Sequence, residues 1–325
     1  MDEFELIRQY FTRTLTDSDV RIGIGDDGAL LRPAAGRDLI TVVDTLVEGV
    51  HYPLNMGAAD IAWRAVAVNL SDIAAMGARP RWMTLALTLR EADPNWLAEF
   101  SDGLFAAAAE HDVSLVGGDT TRGRQVVVSI QITGDVDPDR VLTRSGAKAG
   151  DRIYISGTAG DAAAGLELLR SGTVSSDTAN ELVDRFRRPN ARIALAQAIA
   201  PLASAAIDLS DGLYADTLKL LQASGAGGRI AVDALPMSAA LRAEFDAQRA
   251  RQFALGGGDD YELCFTLPAE EEPRLSEIAL QQKVRLTCVG IVTDGVGLDC
   301  TDNGAPFAYL DAGYMHFDAA EKAWV

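Results

Sequence analysis

The sequence predicts an α/β (α+β) fold built from two domains, each a mixed sheet with helices, on three observations. Strand-like and helix-like apolar patterns alternate through the first half of the chain and again through the second half. The length of 325 residues corresponds to about two domains of ordinary size. A polar, turn-rich segment spans residues 135–151 between the two halves. We place the boundary in this segment and predict domains 1–145 and 146–325.

The first half contains two clear strand patterns and one clear helix start. Residues 81–90 alternate between apolar and polar side chains, as in a half-buried strand. Asp93 followed by Pro94 marks the start of a helix, and the helical pattern continues to about His111. One face of a second strand is predicted from four alternating apolar residues, Val126, Val128, Ile130 and Ile132.

The second half begins with a strand over Arg152–Ser156, a glycine-containing turn, and a helix that carries Ala162 to Leu169. Further strands are predicted at Ala205–Ile207, Arg229–Val232, Tyr261–Thr266 and Val284–Val292. A faint internal echo also occurs, because N-L-S-D-I precedes G-G-D-T in the first half and D-L-S-D-G precedes G-G-G-D-D in the second. This echo is weak support for two related halves.

Charge and hydropathy exclude several classes of protein. The formal net charge of −18 argues against nucleic-acid binding, which depends on Lys and Arg neutralising phosphates. No stretch approaches the roughly 20 uncharged residues of a membrane span, and the first residues are acidic where a signal peptide is basic. We therefore expect a cytoplasmic protein with no membrane partner, in which cations must bridge any phosphorylated ligand to the carboxylates.

Aspartates recur at the ends of apolar, strand-like runs, where a folded protein has least reason to place a charge. Two such carboxylates about 4 Å apart would repel by roughly 4 kcal/mol at an effective dielectric near 20, and divalent cations are the usual remedy. Any single one of these residues is typical of a turn or a helix N-cap. The set as a whole favours Mg²⁺ or a similar hard cation; it consists of Asp26, Asp27, Asp44, Asp119, Asp208 and Asp211.

Asp72 strengthens the metal hypothesis because it lies in a helical pattern. The apolar stripe of that helix runs through Ile61, Ala65 and Val68, and Asp72 falls on the same face. An ionised carboxylate does not stay on a buried stripe without a partner.

Other nucleotide and metal motifs are absent or misleading. Residues 23–28 satisfy G-x-G-x-x-G, but Pro33 follows too soon for the long helix that a dinucleotide-binding loop needs. The Walker pattern is missing, and the three histidines have no zinc-binding spacing. Gly117, Gly118 and Asp119 are predicted to form a tight turn at a strand end, and residues 256–260 repeat this arrangement.

Eight motifs in order over nearly the full length make the chain resemble the thiamine-monophosphate kinases, which belong to the aminoimidazole-ribonucleotide-synthetase superfamily of ATP-dependent enzymes. They are G-I-G-D-D-G-A, D-T-L-V-E-G-V-H, N-L-S-D-I-A-A-M-G-A, G-G-D-T-T-R-G, T-R-S-G-A-K-A-G-D, I-D-L-S-D-G-L, D-Y-E-L-C-F and G-Y-M-H-F. The resemblance implies that the γ-phosphoryl group of ATP is transferred to thiamine monophosphate. It also implies a homodimer whose first domain carries most metal ligands and the dimer interface, while the second completes the cleft.

The resemblance also assigns expected roles to residues. It implies Mg²⁺ ligands at Asp27, Asp44, Asp72, Asp119, Asp208 and Asp211. It implies ATP contacts at Gly118, Asp119, Arg144 and Ser210, and contacts to thiamine monophosphate at His51, Asp259 and Tyr314. No catalytic nucleophile or base is expected in the protein, because a phosphate monoester is mostly dianionic at pH 7.

The chain departs from the family pattern at two places that bear on these roles. Asp259 stands where the family commonly has Glu, so its side chain is one methylene shorter, and Val42 and Val43 precede Asp44 where the family often has Ser and Thr. Two alternatives stay open: another ATP-dependent enzyme of the same superfamily, or a non-catalytic protein that binds divalent cations through the same carboxylates.

Overall fold

The computed structural model describes residues 2–14 and 17–309, which divide into two compact units. The N-terminal unit comprises residues 2–14, 17–73 and 78–139, and the C-terminal unit comprises residues 74–77 and 140–309. The division therefore falls inside the polar segment at 135–151, between Asp139 and Arg140.

The N-terminal unit is built on a mixed four-stranded sheet. Its strands run in the order β3-β6-β4-β5, with β4 and β5 parallel and the other neighbours antiparallel, and β1 pairs with β2 in a separate short hairpin. The elements are α1 Glu3–Leu6, β1 Val20–Ile22, β2 Leu30–Leu31, β3 Asp38–Val47, α2 Ala58–Ala75, β4 Arg79–Leu89, α3 Pro94–Ala109, β5 Ser114–Arg122 and β6 Val127–Val136.

The sequence patterns of the first half correspond to these elements. The alternation at 81–90 is confirmed as β4, and the helix predicted from Asp93 is α3, where the Asp93 carboxylate accepts a hydrogen bond from the Asn95 N–H group. The four residues predicted to share a strand face, Val126 to Ile132, are all buried. The G-x-G-x-x-G segment is followed by β2 and no helix, so the structure agrees with rejecting a dinucleotide-binding loop.

Helices α2 and α3 contact each other closely at Gly103. A Cβ atom at this position would lie 2.2 Å from the carbonyl oxygen of Ala59, a backbone atom of α2. Glycine in a helix interior costs about 0.5–1 kcal/mol relative to alanine, so this residue is explained by the contact and not by helix propensity. Near the other end of α2, Ile73 contacts the sheet, since its Cδ1 atom lies 3.3 Å from a Cβ position at Gly134.

The C-terminal unit contains a seven-stranded mixed sheet in the order β13-β12-β9-β11-β7-β10-β8. Strand β12 is parallel to β9, and the other pairs are antiparallel. The elements are β7 Arg152–Ser156, α4 Asp161–Ser171, α5 Asp177–Arg187, α6 Ile193–Ile199, β8 Ala205–Asp208, α7 Leu213–Ser224, β9 Gly227–Ala231, α8 Ala239–Glu244, α9 Ala247–Gly256, β10 Leu263–Leu267, α10 Glu272–Gln282, β11 Leu286–Thr293, β12 Gly297–Asp302 and β13 Ala305–Phe307.

The predicted strands of the second half are present. Strands β10 and β11 each start two residues later than expected, at Leu263 and Leu286, and β9 starts two residues earlier, at Gly227. The internal echo is wrong as a structural repeat. Its N-L-S-D copy lies within helix α2, whereas the D-L-S-D copy runs from the end of β8 into a loop. Within the described ranges, no helix is both long enough and apolar enough to span a membrane.

We predict that Gly103→Ala destabilises the protein by about 1–3 kcal/mol, because the new methyl group overlaps the α2 backbone. Urea unfolding measures the change. Gly57→Ala is the matched control, since a Cβ there meets only the Asp60 carboxylate at 3.8 Å. A Gly103→Ala protein as stable as the wild type would contradict the close helix contact.

Candidate active site

Two loops of the C-terminal unit meet where β8 ends and β10 begins. The strands are antiparallel, and Asp208 is paired with Leu263 in the ladder, so both loops emerge at one edge of the sheet. The Asp259 N–H donates to the Ser210 carbonyl at 2.9 Å, and the Tyr261 N–H donates to the Leu209 carbonyl at 2.9 Å. The structure thus brings four predicted site residues into neighbouring segments, namely Asp208, Ser210, Asp211 and Asp259.

The segment that leads into β10 has an unusual backbone. Asp259 and Tyr261 adopt φ angles of +71° and +51°, a left-handed conformation that is rare for a bulky residue such as Tyr. A Cβ atom at Gly258 would lie 2.4 Å from the Ser210 carbonyl oxygen. This geometry explains why the strand predicted from Tyr261 begins only at Leu263. The Tyr261 hydroxyl donates to Oδ1 of Asp259 at 3.3 Å, which restrains the carboxylate.

Two buried carboxylates anchor this segment. Asp260 accepts hydrogen bonds from the N–H groups of Gly160 and Ala162, at 2.6 and 3.2 Å, at the start of α4. Burial raises the pKa of Asp260 to about 8, although these N–H groups and Arg185 oppose the shift. Glu262 is fully buried and bound by two arginines, Arg185 and Arg192. Burial disfavours its charge, but the hydrogen bond and charge of Arg192 keep the Glu262 pKa below its ordinary value.

The loop after β8 is held by Asp216 and Lys219, two residues of α7. The Asp216 carboxylate accepts hydrogen bonds from the backbone of Ser210–Gly212. The Lys219 ammonium group forms ion pairs with both Asp211 and Asp216. Sequence reasoning missed these two residues. The signal for Asp216 is the same as for Asp72, a carboxylate among the apolar positions of an amphipathic helix, here Leu213, Leu220 and Leu221.

In the N-terminal unit, Asp44 is a half-buried carboxylate on β3. Its N–H group donates to Oδ1 of Asn69 on α2 at 3.0 Å. Within the described part of the chain, no hydrogen-bond donor or cationic side chain contacts the Asp44 carboxylate, and burial raises its pKa. Carboxylate oxygen is the ligand type that Mg²⁺ prefers, so this residue fits a bound cation. Asp44 lies inside β3, so the prediction that it lies at a strand end is wrong.

Gly118 and Asp119 also lie inside a strand, and the expected tight turn at 117–119 is wrong. The β4–β5 ladder changes register where Met83 pairs with Leu115 but Thr84 pairs with Gly117, which is a β-bulge. After the bulge, Gly118 has a φ angle of +155°, and a Cβ atom there would lie 1.9 Å from the Leu85 carbonyl oxygen. Asp119 is exposed at the next position.

The remaining metal candidates of this unit differ in exposure. Asp72 is half-buried on α2, one turn from Val68 on the buried face that the sequence predicted. Asp27 is exposed in the turn between β1 and β2. In residues 2–14 and 17–309, no three acidic, cysteine or histidine side chains form a group that could hold a metal ion. The metal set of six aspartates therefore stays a prediction.

His51 lies in the turn that follows β3. Its Nδ1 atom accepts a hydrogen bond from the Val47 N–H group at 2.9 Å, so a neutral ring carries its proton on Nε2. Arg144 is exposed, and its carbonyl oxygen accepts a hydrogen bond from Ser224. Tyr314 lies outside the described residues.

Comparison with known proteins identifies similarity along almost the whole chain. Residues 25–136 match the N-terminal domain of AIR synthase related proteins, and residues 148–303 match their C-terminal domain. The thiamine-monophosphate kinase of Salmonella typhimurium is 48% identical over 319 residues, which are 97% of this chain and 98% of that protein.

Two solved structures extend this similarity to three dimensions. The crystal structure of thiamine-monophosphate kinase from Stenotrophomonas maltophilia has a TM-score of 0.88 and 43% identity, and covers 94% of this chain and 98% of its own. AaThiL, solved as a complex with AMPPCP and TMP, has a TM-score of 0.78 and 32% identity, and covers 97% of both chains.

We predict that Asp44→Asn raises the free energy of unfolding at pH 7 without Mg²⁺ by on the order of 1 kcal/mol, because it removes a half-buried charge that lacks a partner. A carboxyl whose pKa is raised by folding contributes stability below its unfolded pKa and loses it as the pH rises through the folded value. The difference in the free energy of unfolding between the variant and the wild type should therefore become smaller toward pH 4.

Urea unfolding with and without Mg²⁺ tests this prediction. Added Mg²⁺ should stabilise the wild type more than the variant, and the variant should lose activity by roughly 100-fold or more. Asp60→Asn, in the first turn of α2, is the control for removal of one carboxylate. Full activity of the Asp44→Asn protein would remove this residue from the metal set.

Proposed function

The chain belongs to the thiamine-monophosphate kinase family of AIR-synthase-related proteins, and from this premise we propose that it transfers the γ-phosphoryl group of ATP to thiamine monophosphate. The products are thiamine diphosphate and ADP. The observation that carries the proposal is the match over 97% of the chain to AaThiL in complex with AMPPCP and TMP. A protein of 48% identity with the same family name supports it independently.

Each predicted site residue takes a role in this reaction. Gly118, Asp119, Arg144 and Ser210 contact ATP, while His51, Asp259 and Tyr314 contact thiamine monophosphate. The hydrogen bond from the Val47 N–H group to Nδ1 holds the His51 ring in the turn after β3, from which we assign it to the thiamine phosphate. The restraint on Asp259 by Tyr261 directs a short carboxylate toward the substrate.

The acidic residues hold Mg²⁺, which neutralises phosphate charge and aligns the donor and acceptor oxygens. The ligands are the six aspartates predicted from the sequence: Asp27, Asp44, Asp72, Asp119, Asp208 and Asp211. Asp44 supports this assignment best, because its half-buried carboxylate has no counter-charge within the described residues.

Transfer is direct and in line, without a phosphorylated protein intermediate. The acceptor is a phosphate oxygen that is already ionised at pH 7, since the second pKa of a phosphate monoester is about 6. No protein base is therefore needed. The side chains position the two anionic substrates, and the bound cations offset the repulsion between them.

The enzyme works in the cytoplasm as a homodimer. The support for the dimer is one face of the N-terminal sheet, where the side chains of β3, β6 and β4 are exposed or half-exposed and include no Lys, Arg, Asp or Glu in the central rows. The charged residue of these rows is Asp119, which pairs with Ala86 from the neighbouring strand β5. Val43 on this face is 64% exposed. Because chains with a net charge of −18 repel each other, the uncharged part of this face on β3, β6 and β4 is a favourable place for two copies to associate. The face contains Thr41, Val43, Thr45, Thr84, Ala86, Thr88, Ser129, Gln131 and Thr133.

We predict that purified protein forms thiamine diphosphate from ATP and thiamine monophosphate when Mg²⁺ is present. Chromatographic detection of thiamine diphosphate and ADP measures the reaction. Chelation with excess EDTA should abolish it, and omission of thiamine monophosphate should leave ATP intact.

Two outcomes would contradict parts of this proposal. ATP consumption that does not depend on thiamine monophosphate would exclude the kinase function. A stable phosphoprotein formed from γ-labelled ATP alone, and chased into thiamine diphosphate, would exclude direct transfer.

We predict that Val43→Glu weakens the dimer, because it places a charge in a row of the sheet face that carries none, Val43–Gln131–Thr84–Gly117. Light scattering across a dilution series measures the mass in solution. Val296→Glu is the matched control, since Val296 is 91% exposed in the C-terminal unit. Unchanged association of the Val43→Glu protein would exclude this face as the interface.

A further inference from the structure

Three successive backbone N–H groups in the β8–α7 loop converge on one carboxylate oxygen. The N–H groups of Ser210, Asp211 and Gly212 donate to Oδ2 of Asp216 at 3.0, 2.9 and 3.1 Å. Asp216 is 1% exposed and lies in the first turn of α7, where the helix dipole favours a negative charge. The carboxylate is therefore an internal anion that fixes the conformation of the loop.

The carbonyl groups of the same loop are also engaged. The Ser210 and Leu209 carbonyl oxygens accept hydrogen bonds from the N–H groups of Asp259 and Tyr261. A Cβ atom at Gly212, whose φ angle is +116°, would lie 2.8 Å from the backbone of Gly256. The backbone of the loop is thus bound on both sides.

This arrangement differs from a phosphate-binding loop at a helix start. In such loops, the N–H groups at the N-terminus of the helix bind the phosphate of a ligand. Here the same kind of N–H groups are already bound to Asp216, so a phosphate in that position would meet a buried negative charge. Within Ser210–Gly212, the polar groups that remain for a ligand are the side chains of Ser210 and Asp211, both half-exposed.

Lys219 links the Asp216 carboxylate to Asp211, whose side chain remains for a ligand. Its ammonium group is paired with Asp216 Oδ1 at 2.8 Å and also with Asp211. The helical spacing of three residues places Asp216 and Lys219 on one face of α7, toward the loop. The pair therefore orients the Asp211 carboxylate as well as the backbone beside it.

We propose that Asp216 is a positioning residue of the nucleotide site: its buried carboxylate holds the Ser210–Gly212 loop so that the Ser210 and Asp211 side chains, and not the loop N–H groups, face ATP and its cation. The nucleotide part of this inference rests on the proposed function. The loop-holding part rests on the hydrogen bonds alone.

Hydrogen exchange and nucleotide binding test the two parts separately. In Asp216→Ala protein without ligand, the amides of residues 210–212 should exchange about 100-fold faster than in the wild type, because three hydrogen bonds to one acceptor are lost. Asp216→Asn retains an oxygen acceptor, and its exchange rate should fall between the two. Affinity for a non-hydrolysable ATP analogue with Mg²⁺, measured by calorimetry, should fall in the same order, by about tenfold or more for Asp216→Ala.

Asp246→Ala is the matched control, because Asp246 also accepts two backbone hydrogen bonds at a helix start, from Gln248 and Arg249. This variant should speed amide hydrogen exchange at the start of α9. It should leave the exchange of residues 210–212 and the affinity for the nucleotide unchanged.

Wild-type exchange at residues 210–212 in Asp216→Ala would overturn the inference, and so would faster exchange with unchanged affinity for the nucleotide. If Asp216→Ala unfolds, the Asp216→Asn protein decides by the same two measurements. A wild-type protein that binds no nucleotide would instead overturn the proposed function, while the exchange rates would still decide whether Asp216 holds the loop.

Discussion

Hydrogen bonds between buried carboxylates and backbone N–H groups are the interaction on which the site of the C-terminal unit depends. Asp216 fixes the loop after β8, and Asp260 fixes the segment before β10 against the start of α4. The two loops then bind each other through the Ser210 carbonyl and the Asp259 N–H. The ladder between β8 and β10 ends at Asp208 and Leu263, so the sheet itself does not direct the residues beyond it, and the two carboxylates do.

The acidic residues divide into two groups by their partners. Asp216, Asp260 and Glu262 are almost fully buried, and each accepts several hydrogen bonds, as buried polar groups require. Asp44 is half-buried without such partners, and its burial is a cost that the fold does not offset internally. A carboxylate of this second kind is destabilising unless a ligand neutralises it, which is typical of functional sites. The same residue type therefore stabilises the scaffold in one place and, in the proposed function, binds a cation in another.

Periodicity in the sequence predicted the elements better than the positions of the functional residues within them. The apolar alternation around β4 and β6 and the Asp93–Pro94 helix start depend on local preferences, and the structure confirms them. Asp44 and Asp119 were expected at strand ends but lie inside strands, because strand length depends on pairing with distant partners such as β6 and β4. Asp216 was missed because its role depends on where a preceding loop places three N–H groups. That placement depends on contacts between residues far apart in sequence, which local pattern does not contain.

The left-handed conformations of Asp259 and Tyr261 show how the anchors act on the site. Each such conformation costs about 1–3 kcal/mol and persists only where the surroundings determine it. Asp260, between them, is bound at α4, and Glu262, which follows, is bound by Arg185 and Arg192. The direction of the Asp259 side chain is therefore set by its neighbours and not by its own backbone preference. A change at Asp260 or Glu262 would release the strain and reorient Asp259. Under the proposed function, in which Asp259 contacts thiamine monophosphate, these two buried residues position a substrate contact and also stabilise the fold.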